Sequence, residues 1–457
     1  MPPATPMPLA AFRELQQSGG GGAIAAHIAD RLTRIADYNT TTQADPARIA
    51  ELLAAPASGP LAGLPIAVKD NIDLAGFDTT GGSPALQGHR PDADAPPVAR
   101  LRAAGAALVL KTNLHEFAFG VTSNNALYGP VRNPADPARV AGGSSGGNAT
   151  AIALGLIPAA LGTDTGGSTR IPAAFCGICG FRPSTGRYPD GGVLTISPTR
   201  DTIGPMAACV ADIALLDALI TGEDALPPLL DRPLRLGVAS DALSGLSAQT
   251  DAAMQRALDR LGAAGITLVP VDTAAIDDGT RQAGDPVAFC EGYASFKDHA
   301  AQRAGTDYAT LAVAVSSPDV AGIFAALPEL AAQTDAAWRA ALADQLPHLC
   351  ADYAALMQHH ALDGLLSATV PVPPPLIGED ATLHADGIDL PTFPTVSRNT
   401  CRASMLCTPS LSLPAGRDAA GLPFGLMLEG GSGQDRGLLS LALQIETALA
   451  PLQEMPQ

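Results

Sequence analysis

Two glycine-rich turns that carry serines are the stretches of this sequence best suited to chemistry. One covers residues 142–147 (GGSSGG) and the other covers residues 165–170 (TGGSTR). So much glycine excludes the interior of a helix or strand and predicts loops whose backbone closely approaches a bound molecule. Ser168 follows two glycines after a short apolar run, a position that exposes it beside several main-chain N–H groups. Such a group of donors can stabilise the oxyanion of an acyl-transfer reaction.

A serine hydroxyl becomes a strong nucleophile only when a base removes its proton. None of the eight histidines lies in a glycine-rich or strand-end context that suggests this role. Only three of the 27 lysine and arginine residues are lysines, and one of them, Lys69, ends the apolar run at 64–68 (LPIAV). Burial in such a strand lowers the pKa of an amine, so Lys69 could act as a neutral base.

Other lysines and serines, and one aspartate beside Lys69, are alternative candidates for catalytic roles. Lys111 is the chief alternative base, and its structural role would be an ion pair with Glu116 or a contact with a carbonyl group. Lys297 lies in a helical stretch and is expected to face solvent. Asp70 could pair with the amine of Lys69, although a turn role is favoured. Ser83 lies in a further glycine-rich stretch, but no strand or base motif frames it, which indicates a structural loop.

Three separated motifs resemble the amidase signature family of hydrolases. They are GLPIAVKDN around Lys69, GGSSGG around Ser144 and GTDTGGSTR around Ser168. The resemblance is strong over residues 61–212 and returns over residues 408–425. It implies a Ser-Ser-Lys triad in which Ser168 is the nucleophile and Lys69 is the base. Ser144 would be the bridging serine, held by a cis peptide bond after Gly143.

The second serine turn carries further predicted roles. The predicted oxyanion hole consists of main-chain N–H groups around Thr165, Gly166, Gly167 and Ser168. Asp164 and Arg170 flank this turn, and the resemblance implies that they brace it by hydrogen bonds rather than take part in bond breaking.

The stretch from 115 to 134, HEFAFGVTSNN…YGPVRNP, is similar to the branch of the family that contains indoleacetamide and mandelamide hydrolases. This resemblance implies hydrolysis of the C–N bond of a small, aryl-containing amide to an acid and an amine or ammonia, through an acyl-enzyme. Ester and carbamate (urethane) substrates are chemically compatible with the same triad. Phe119 is a candidate pocket wall, with ordinary core packing as the equal alternative. Gly143 is the second candidate substrate contact.

Two other functions are compatible with parts of the pattern. A glutaminase subunit of a tRNA-dependent amidotransferase shares the same signature, but it requires partner subunits. A catalytically silent binding or scaffold protein would not need all three triad positions to be filled, as they are here. The resemblance to the small-amide branch favours a self-sufficient amidase.

The predicted fold is a single large α/β domain over residues 1–457, with a mixed central sheet sandwiched by helices. Length alone would suggest about three domains, but the continuous α/β pattern favours one. Residues 1–60 are expected to form a helical wrap around the core. Residues 285–361 have helix-like patterns, and the resemblance implies that they shape the substrate entrance. The oligomeric state stays open, with a homodimer as one option.

The expected binding partner is a small-molecule substrate, and the composition disfavours nucleic acid and membranes as partners. The net charge of −18 disfavours unaided binding to nucleic acid or to an anionic membrane. There is no P-loop and no dinucleotide-binding glycine motif, so no cofactor is expected. The adjacent His359 and His360 point in different directions on a helix and complete no metal site.

Cysteine usage and the N-terminal sequence predict a cytoplasmic protein. The seven cysteines form no regular disulfide framework, which indicates a reducing compartment. Cys176 and Cys179 have CxxC spacing, but their apolar surroundings favour packed thiols over a redox or zinc centre. The first residues lack the cationic start and long apolar core of a signal peptide.

Overall fold

The computed structural model describes residues 5–223 and 227–453, so the first four residues of the predicted N-terminal wrap lie outside it. The strands, in chain order, are β1 (Thr41–Gln43), β2 (Pro65–Lys69), β3 (Ala107–Thr112), β4 (Asn124–Asn125), β5 (Gly129–Pro130), β6 (Ala159–Asp164), β7 (Cys179–Arg182), β8 (Thr202–Ala207), β9 (Arg235–Ala239), β10 (Thr267–Val271), β11 (Gly364–Ala368), β12 (Thr382–Ala385), β13 (Ile388–Pro391), β14 (Ser410–Arg417) and β15 (Pro423–Glu429).

The helices surround these strands. In chain order they are α1 (Leu9–Arg34), α2 (Pro46–Ala54), α3 (Pro96–Ala103), α4 (Gly146–Ala153), α5 (Arg170–Cys176), α6 (Val210–Thr221), α7 (Ser240–Leu243), α8 (Ala248–Ala263), α9 (Ala274–His299), α10 (Tyr308–Val313), α11 (Pro318–Ala340), α12 (Leu346–His359), α13 (Thr392–Ser397), α14 (Cys401–Met405) and α15 (Asp435–Gln453).

Eleven strands form one mixed sheet in the order β1-β3-β2-β6-β8-β7-β14-β15-β11-β9-β10. Strands β3, β2 and β6 are parallel, and β8 is antiparallel to β6. At the other end of the sheet, β10, β9 and β11 are parallel. The predicted α/β class, with a mixed central sheet flanked by helices in one domain, is confirmed.

The pairing of β2 with β6 brings the two main motifs to one edge of the sheet. Val68 lies opposite Leu161 in a parallel register, so the carboxyl ends of both strands meet at the same edge. Every residue of β2 and β6 is buried. Parallel strands covered by helices on both faces carry such continuous apolar sequences. The chain that leaves β6 therefore enters the second serine turn beside the last residue of β2.

Two short helices next to this edge are buried on every side, because small residues let them lie close to the sheet. In α4, a Cβ atom on Gly147 would lie 2.3 Å from the carbonyl oxygen of Asn113. Only glycine permits this close approach, and the N–H of Gly147 donates a hydrogen bond to that same carbonyl. The first serine turn is thus fixed against the end of β3.

The two peripheral segments predicted from the sequence are mostly helical. The N-terminal sixty residues contain α1 and α2, but also the edge strand β1, which pairs with β3. Helix α1 begins at Leu9, and Leu9 and Phe12 bury their side chains in the core. Residues 285–361 lie in α9 to α12 and their connections. No helix in the described ranges has both the length and the hydropathy of a membrane span.

Candidate active site

Lys69 lies at the end of β2 with its side chain fully buried. Its Nζ donates hydrogen bonds to Ser144 Oγ at 2.7 Å and to Thr163 Oγ1 at 2.9 Å. Burial lowers the pKa of Lys69 to about 7, although the carboxylates of Asp164 and Asp201 raise it part of the way back. A neutral amine is therefore accessible near neutral pH, as a lysine base requires.

Ser144 lies in the first serine turn, immediately before α4. The peptide bond between Gly143 and Ser144 is cis, as the resemblance implies. The carbonyl oxygen of Ser144 accepts hydrogen bonds from the main-chain N–H of His115 at 3.1 Å and from Ser123 Oγ at 3.3 Å. These contacts hold the Ser144 side chain against the amine of Lys69.

Ser168 lies in the turn between β6 and α5, and its side chain reaches a cavity. The residue is 8% exposed and contributes to the cavity wall. The two serine turns are joined through the main chain, since Ser145 N–H donates to the Ser168 carbonyl oxygen at 3.2 Å. Within the described ranges, no hydrogen bond joins the hydroxyls of Ser144 and Ser168. The structure thus places the three predicted triad residues at one edge of the sheet, with the Lys69–Ser144 contact already formed.

The N–H groups predicted to form the oxyanion hole are not equivalent. Gly167 N–H donates to Asp164 Oδ1 at 2.9 Å, which makes it unavailable to an oxyanion. This contact corrects the expectation for Gly167, because the turn folds back onto the buried carboxylate. Among the residues described, the N–H groups of Gly166 and Ser168 have no hydrogen-bond partner, and both residues line the cavity. Thr165 also lines it, and its hydroxyl donates to Asp201 Oδ1 at 2.6 Å.

Asp164 anchors this turn from inside the protein. Arg170 donates two hydrogen bonds to its carboxylate, at 3.0 Å from Nε and 2.9 Å from Nη2. Arg182 Nη1 adds a contact of 3.3 Å to the same carboxylate. Burial by itself raises the pKa of Asp164, but the two guanidinium groups outweigh burial and hold the pKa well below its usual range. The buried charge is thus paired and hydrogen-bonded, as a buried carboxylate must be.

Lys111, the alternative base, lies beyond reach of the serines. Its Nζ donates to the carbonyl oxygen of Ile72 at 2.6 Å and forms an ion pair with Asp70 at 3.3 Å. Of the two structural roles predicted as alternatives for Lys111, the contact with a carbonyl group is the one observed, and the ion pair forms with Asp70 instead of Glu116. Glu116 instead accepts hydrogen bonds from the main chain where α11 begins, including Ser317 N–H at 2.6 Å.

The cavity beside Ser168 has a volume of about 250 Å³. Phe119 forms part of its wall, and its ring packs edge-on against Phe296 and Phe324, with ring centroids 6.3 Å and 5.8 Å apart. Phe119 therefore belongs to both the pocket wall and an aromatic cluster. Gly143 is not among the residues that line this cavity, and a Cβ atom on it would lie 2.8 Å from the carbonyl carbon of Val121 and 2.9 Å from the nitrogen of Thr122.

Comparison with known proteins identifies the family. A family model described as Amidase matches residues 26–439. The chain belongs to the amidase signature family. It is similar to a mandelamide hydrolase of Pseudomonas putida, with 40% identity over 85% of this chain and 79% of that protein. It is also similar to an indoleacetamide hydrolase of Agrobacterium vitis, with 37% identity over 85% of this chain and 84% of that protein.

A solved structure described as an amidase agrees with this assignment. It covers 97% of this chain and 100% of its own, with a TM-score of 0.84 and 31% sequence identity. The protein is therefore an enzyme that hydrolyses amide bonds.

Several residues at this amidase's site were missed by the sequence analysis. Thr163 Oγ1 accepts from Lys69 and also from Asn71 Nδ2 at 3.0 Å, which fixes the amine. Arg182 and Asp201 hold the second serine turn. Asp201 directly precedes β8, and only the pairing of β8 with β6 brings it to the site. No local signal in the sequence distinguishes it from the many other acidic residues.

The remaining residues singled out in the sequence make capping or packing contacts in this amidase. Ser83 Oγ accepts from Ala85 N–H at 3.3 Å, where it caps a short 3₁₀ turn. Cys176 and Cys179 are free thiols buried in the core, and burial raises the pKa of Cys176 to about 12. No group of three or more His, Cys, Asp or Glu residues in the described ranges could hold a metal ion, and the rings of His359 and His360 pack edge-on against each other.

Proposed function

We propose that this amidase hydrolyses the carboxamide bond of a small, aryl-containing amide through an acyl-enzyme on Ser168. The observation that carries the proposal is the buried Lys69–Ser144 contact of 2.7 Å, beside a cavity whose wall contains Ser168. A neutral lysine next to one serine, with a second serine facing the substrate space, is an arrangement suited to nucleophilic catalysis.

The first step forms a bond between Ser168 Oγ and the carbonyl carbon of the amide. As this bond forms, the Ser168 hydroxyl proton passes to Ser144 Oγ, and the Ser144 hydroxyl proton passes to the neutral Nζ of Lys69. The protonated Lys69 then returns a proton through Ser144 to the leaving nitrogen, and the C–N bond breaks. The amine leaves, and the acyl group stays on Ser168 as an ester.

The negative charge that develops on the carbonyl oxygen needs donors that are already in place. The free N–H groups of Gly166 and Ser168 supply them in this proposal, and Asp164 and Asp201 hold the turn that carries them. Loss of one such donor costs about 3 kcal/mol of transition-state stabilisation in a comparable site. Water then attacks the ester with the same residues acting as base and acid, which releases the carboxylic acid and restores Ser168.

The proposal for the substrate rests on the pocket wall and on the relatives. Phe119 and Ile196 provide apolar and aromatic surface next to Ser168. Two relatives of this chain are named for mandelamide and indoleacetamide, which are both arylacetamide compounds. Esters and carbamates have a carbonyl group that the same serine could attack, so both belong in the test panel.

We place the enzyme in the cytoplasm on the basis of its thiols. All seven cysteines lie in the described ranges as free thiols, and three of them are buried. Free cysteines in this number are typical of proteins from a reducing compartment.

The test compares the wild type with Ser168→Ala, assayed without partner proteins on phenylacetamide, an anilide, an aryl carbamate and glutamine. We expect turnover of at least one of the first three substrates, and a loss of about 10⁴-fold or more in kcat for the variant. Glutamine hydrolysis that depends on added amidotransferase subunits, with no turnover of the other three, would support the glutaminase function instead.

A further inference from the structure

The cavity beside Ser168 carries more positive than negative charge, although the protein as a whole has a net charge of −18. Three arginines contribute to its wall, Arg200, Arg281 and Arg398, against a single carboxylate, that of Asp285. Asp285 is exposed to solvent, whereas Arg200 is only 7% exposed. The substrate space is therefore positively charged in its buried part.

Arg200 is held by hydrogen bonds to uncharged groups and forms no ion pair among the residues that the structure describes. Its Nε donates to Ser197 Oγ at 3.0 Å, and its Nη1 contacts Met405 Sδ at 3.1 Å. Ser197 in turn donates to Glu291 Oε2 at 2.6 Å, which fixes the hydroxyl that receives Arg200. The second terminal nitrogen of Arg200, Nη2, makes no hydrogen bond to any residue that the structure describes.

No carboxylate within the described part of the chain forms an ion pair with Arg200. The nearest acidic residue in sequence, Asp201, uses its carboxylate to hold Thr165 Oγ1 and the N–H groups of Ile196 and Ser197, at 2.6 Å, 2.6 Å and 3.0 Å. Arg398 also lines the cavity and forms no ion pair with any residue that the structure describes; its guanidinium contacts Asn399 Oδ1 and the carbonyl oxygen of Ala242. Arg281 differs, since it pairs with Asp241 at 3.5 Å.

A buried guanidinium without an ion-pair partner is costly, and the unbonded Nη2 of Arg200 can donate its N–H groups to a carboxylate oxygen. We propose that Arg200 is the centre of an anion subsite, so that the preferred substrates are amides whose acyl part carries a carboxylate. An apolar spacer would lie along Phe119 and Ile196, between the amide at Ser168 and the carboxylate at Arg200. The product would be a dicarboxylic acid. The subsite deepens the proposed function and rests on it for the location of the scissile amide.

The experiment compares substrates that differ in charge but hardly in shape. The probes are 3- and 4-carboxyphenylacetamide, each paired with its nitro analogue. Binding is measured by calorimetry on Ser168→Ala, which cannot turn the amides over through Ser168. We expect the better carboxylate probe to bind at least tenfold more tightly than its nitro analogue. The same preference should occur in kcat/KM of the wild type.

Arg200→Met, added to Ser168→Ala, tests whether this preference comes from Arg200. We expect the carboxylate preference in binding to fall to within twofold, while Arg256→Met, which removes an exposed arginine from α8, leaves the preference intact. Arg200→Gln replaces Arg200→Met if the latter lacks a native circular dichroism spectrum. The wild-type and Ser168→Ala comparisons require no change at Arg200 and remain decisive if neither variant folds.

The possible outcomes distinguish a failure of the proposed anion subsite from a failure of the proposed reaction. Equal or weaker binding of the carboxylate probes, or a preference that persists in Arg200→Met, would overturn the subsite even if the enzyme hydrolyses phenylacetamide. A carboxylate preference in binding that requires Arg200, without turnover of any amide, would support the subsite and count against the proposed reaction.

Discussion

At the scale of single residues, Lys69 owes its predicted role as base to burial. Its side chain is enclosed at the end of β2, and its two hydrogen-bond partners, Ser144 and Thr163, carry no charge. Desolvation therefore dominates over the more distant carboxylates of Asp164 and Asp201, and the pKa is lowered to about 7. Lys111 is buried to the same degree, but it has the carboxylate of Asp70 beside it and no serine within reach.

This difference leads to a prediction about pH. Because Lys69 must be neutral to accept a proton, kcat/KM should fall about tenfold for each pH unit below its pKa of about 7, and it should level off above that pH. The measurement is the pH profile of kcat/KM on an uncharged amide between pH 5 and pH 9. Lys297→Met, which removes a lysine outside the site, should keep the profile. A flat profile across this range would contradict the role of Lys69.

At the scale of elements, the turn between β6 and α5 depends on Asp164. Its carboxylate receives Arg170, Arg182 and the N–H of Gly167, so the turn is tied to two arginines from different elements. The carboxylate sets the shape of the turn because its hydrogen bonds fix Gly167 while the N–H groups on either side stay free.

Asp164→Asn should therefore destabilise the fold. The substitution leaves two buried guanidinium groups without their counter-ion, which costs about 3–5 kcal/mol when one partner of a buried pair is removed. Urea unfolding followed by circular dichroism measures the free energy of unfolding. Asp30→Asn is the control, since the Asp30–Arg34 pair is exposed and its loss should produce no resolvable change. Equal stabilities of the two variants would contradict the anchoring role.

The two glycines of the turn provide a second prediction. Gly167 has a φ of +128°, and a Cβ atom there would lie 2.4 Å from Thr400 Oγ1, whereas a Cβ atom on Gly166 would meet no atom within 4 Å. Gly167→Ala should lower the free energy of unfolding by about 1–3 kcal/mol, because it forces a strained backbone and a clash together. Gly166→Ala should lower it much less. Thermal unfolding of both variants, measured side by side, tests this difference. Equal losses of unfolding free energy would show that the turn tolerates a side chain at Gly167.

At the scale of the whole molecule, the helical segment and the sheet are joined at the site. Glu291 in α9 accepts hydrogen bonds from Ser197 Oγ and from Thr199 in the loop that leads into β8, and Trp338 in α11 donates to it at 3.4 Å. These contacts connect the helices around residues 285–361 to the loop that carries Arg200 and Asp201. The helices are therefore part of the catalytic domain rather than an appendage.

Cooperative unfolding should follow from these connections. Trp338 is the only tryptophan of the chain, so its fluorescence reports on the helical segment alone. In urea, its transition should coincide with the far-ultraviolet circular dichroism transition of the whole protein, as expected for one cooperative unit. A tryptophan transition at a clearly lower urea concentration would show that the helices unfold independently.

Features that depend on neighbouring residues could be predicted from the sequence, whereas contacts between residues far apart along the chain could not. The glycine-rich turns, the apolar run before Lys69 and the order of the three motifs pointed to Lys69, Ser144 and Ser168, which the structure brings to one edge of the sheet. The continuous α/β pattern predicted the α/β class, which is confirmed. Of the two structural roles predicted for Lys111, the contact with a carbonyl group is observed, at Ile72, whereas the ion pair forms with Asp70 rather than with Glu116. The sequence cannot distinguish these two carboxylates until the path of the chain around Ile72 is known.

Other features could not be predicted because they depend on strand order. Asp201 and Arg200 reach the site only because β8 lies next to β6, which no local pattern indicates. Likewise, the sequence shows four candidate oxyanion donors around the turn, but it does not show that Asp164 occupies the N–H of Gly167. The residues that surround Lys69, Ser144 and Ser168 therefore became visible only in the three-dimensional structure.

The central claim, that Ser168 is the nucleophile, is tested most directly by locating the acyl group. The enzyme is mixed with an activated aryl ester of phenylacetic acid, quenched in acid within milliseconds to seconds, digested and analysed by mass spectrometry. We expect the mass of one phenylacetyl group on the peptide that contains Ser168, and no such adduct in Ser168→Ala. An adduct on Ser144 instead, or its persistence on another residue in Ser168→Ala with activity retained, would contradict the mechanism.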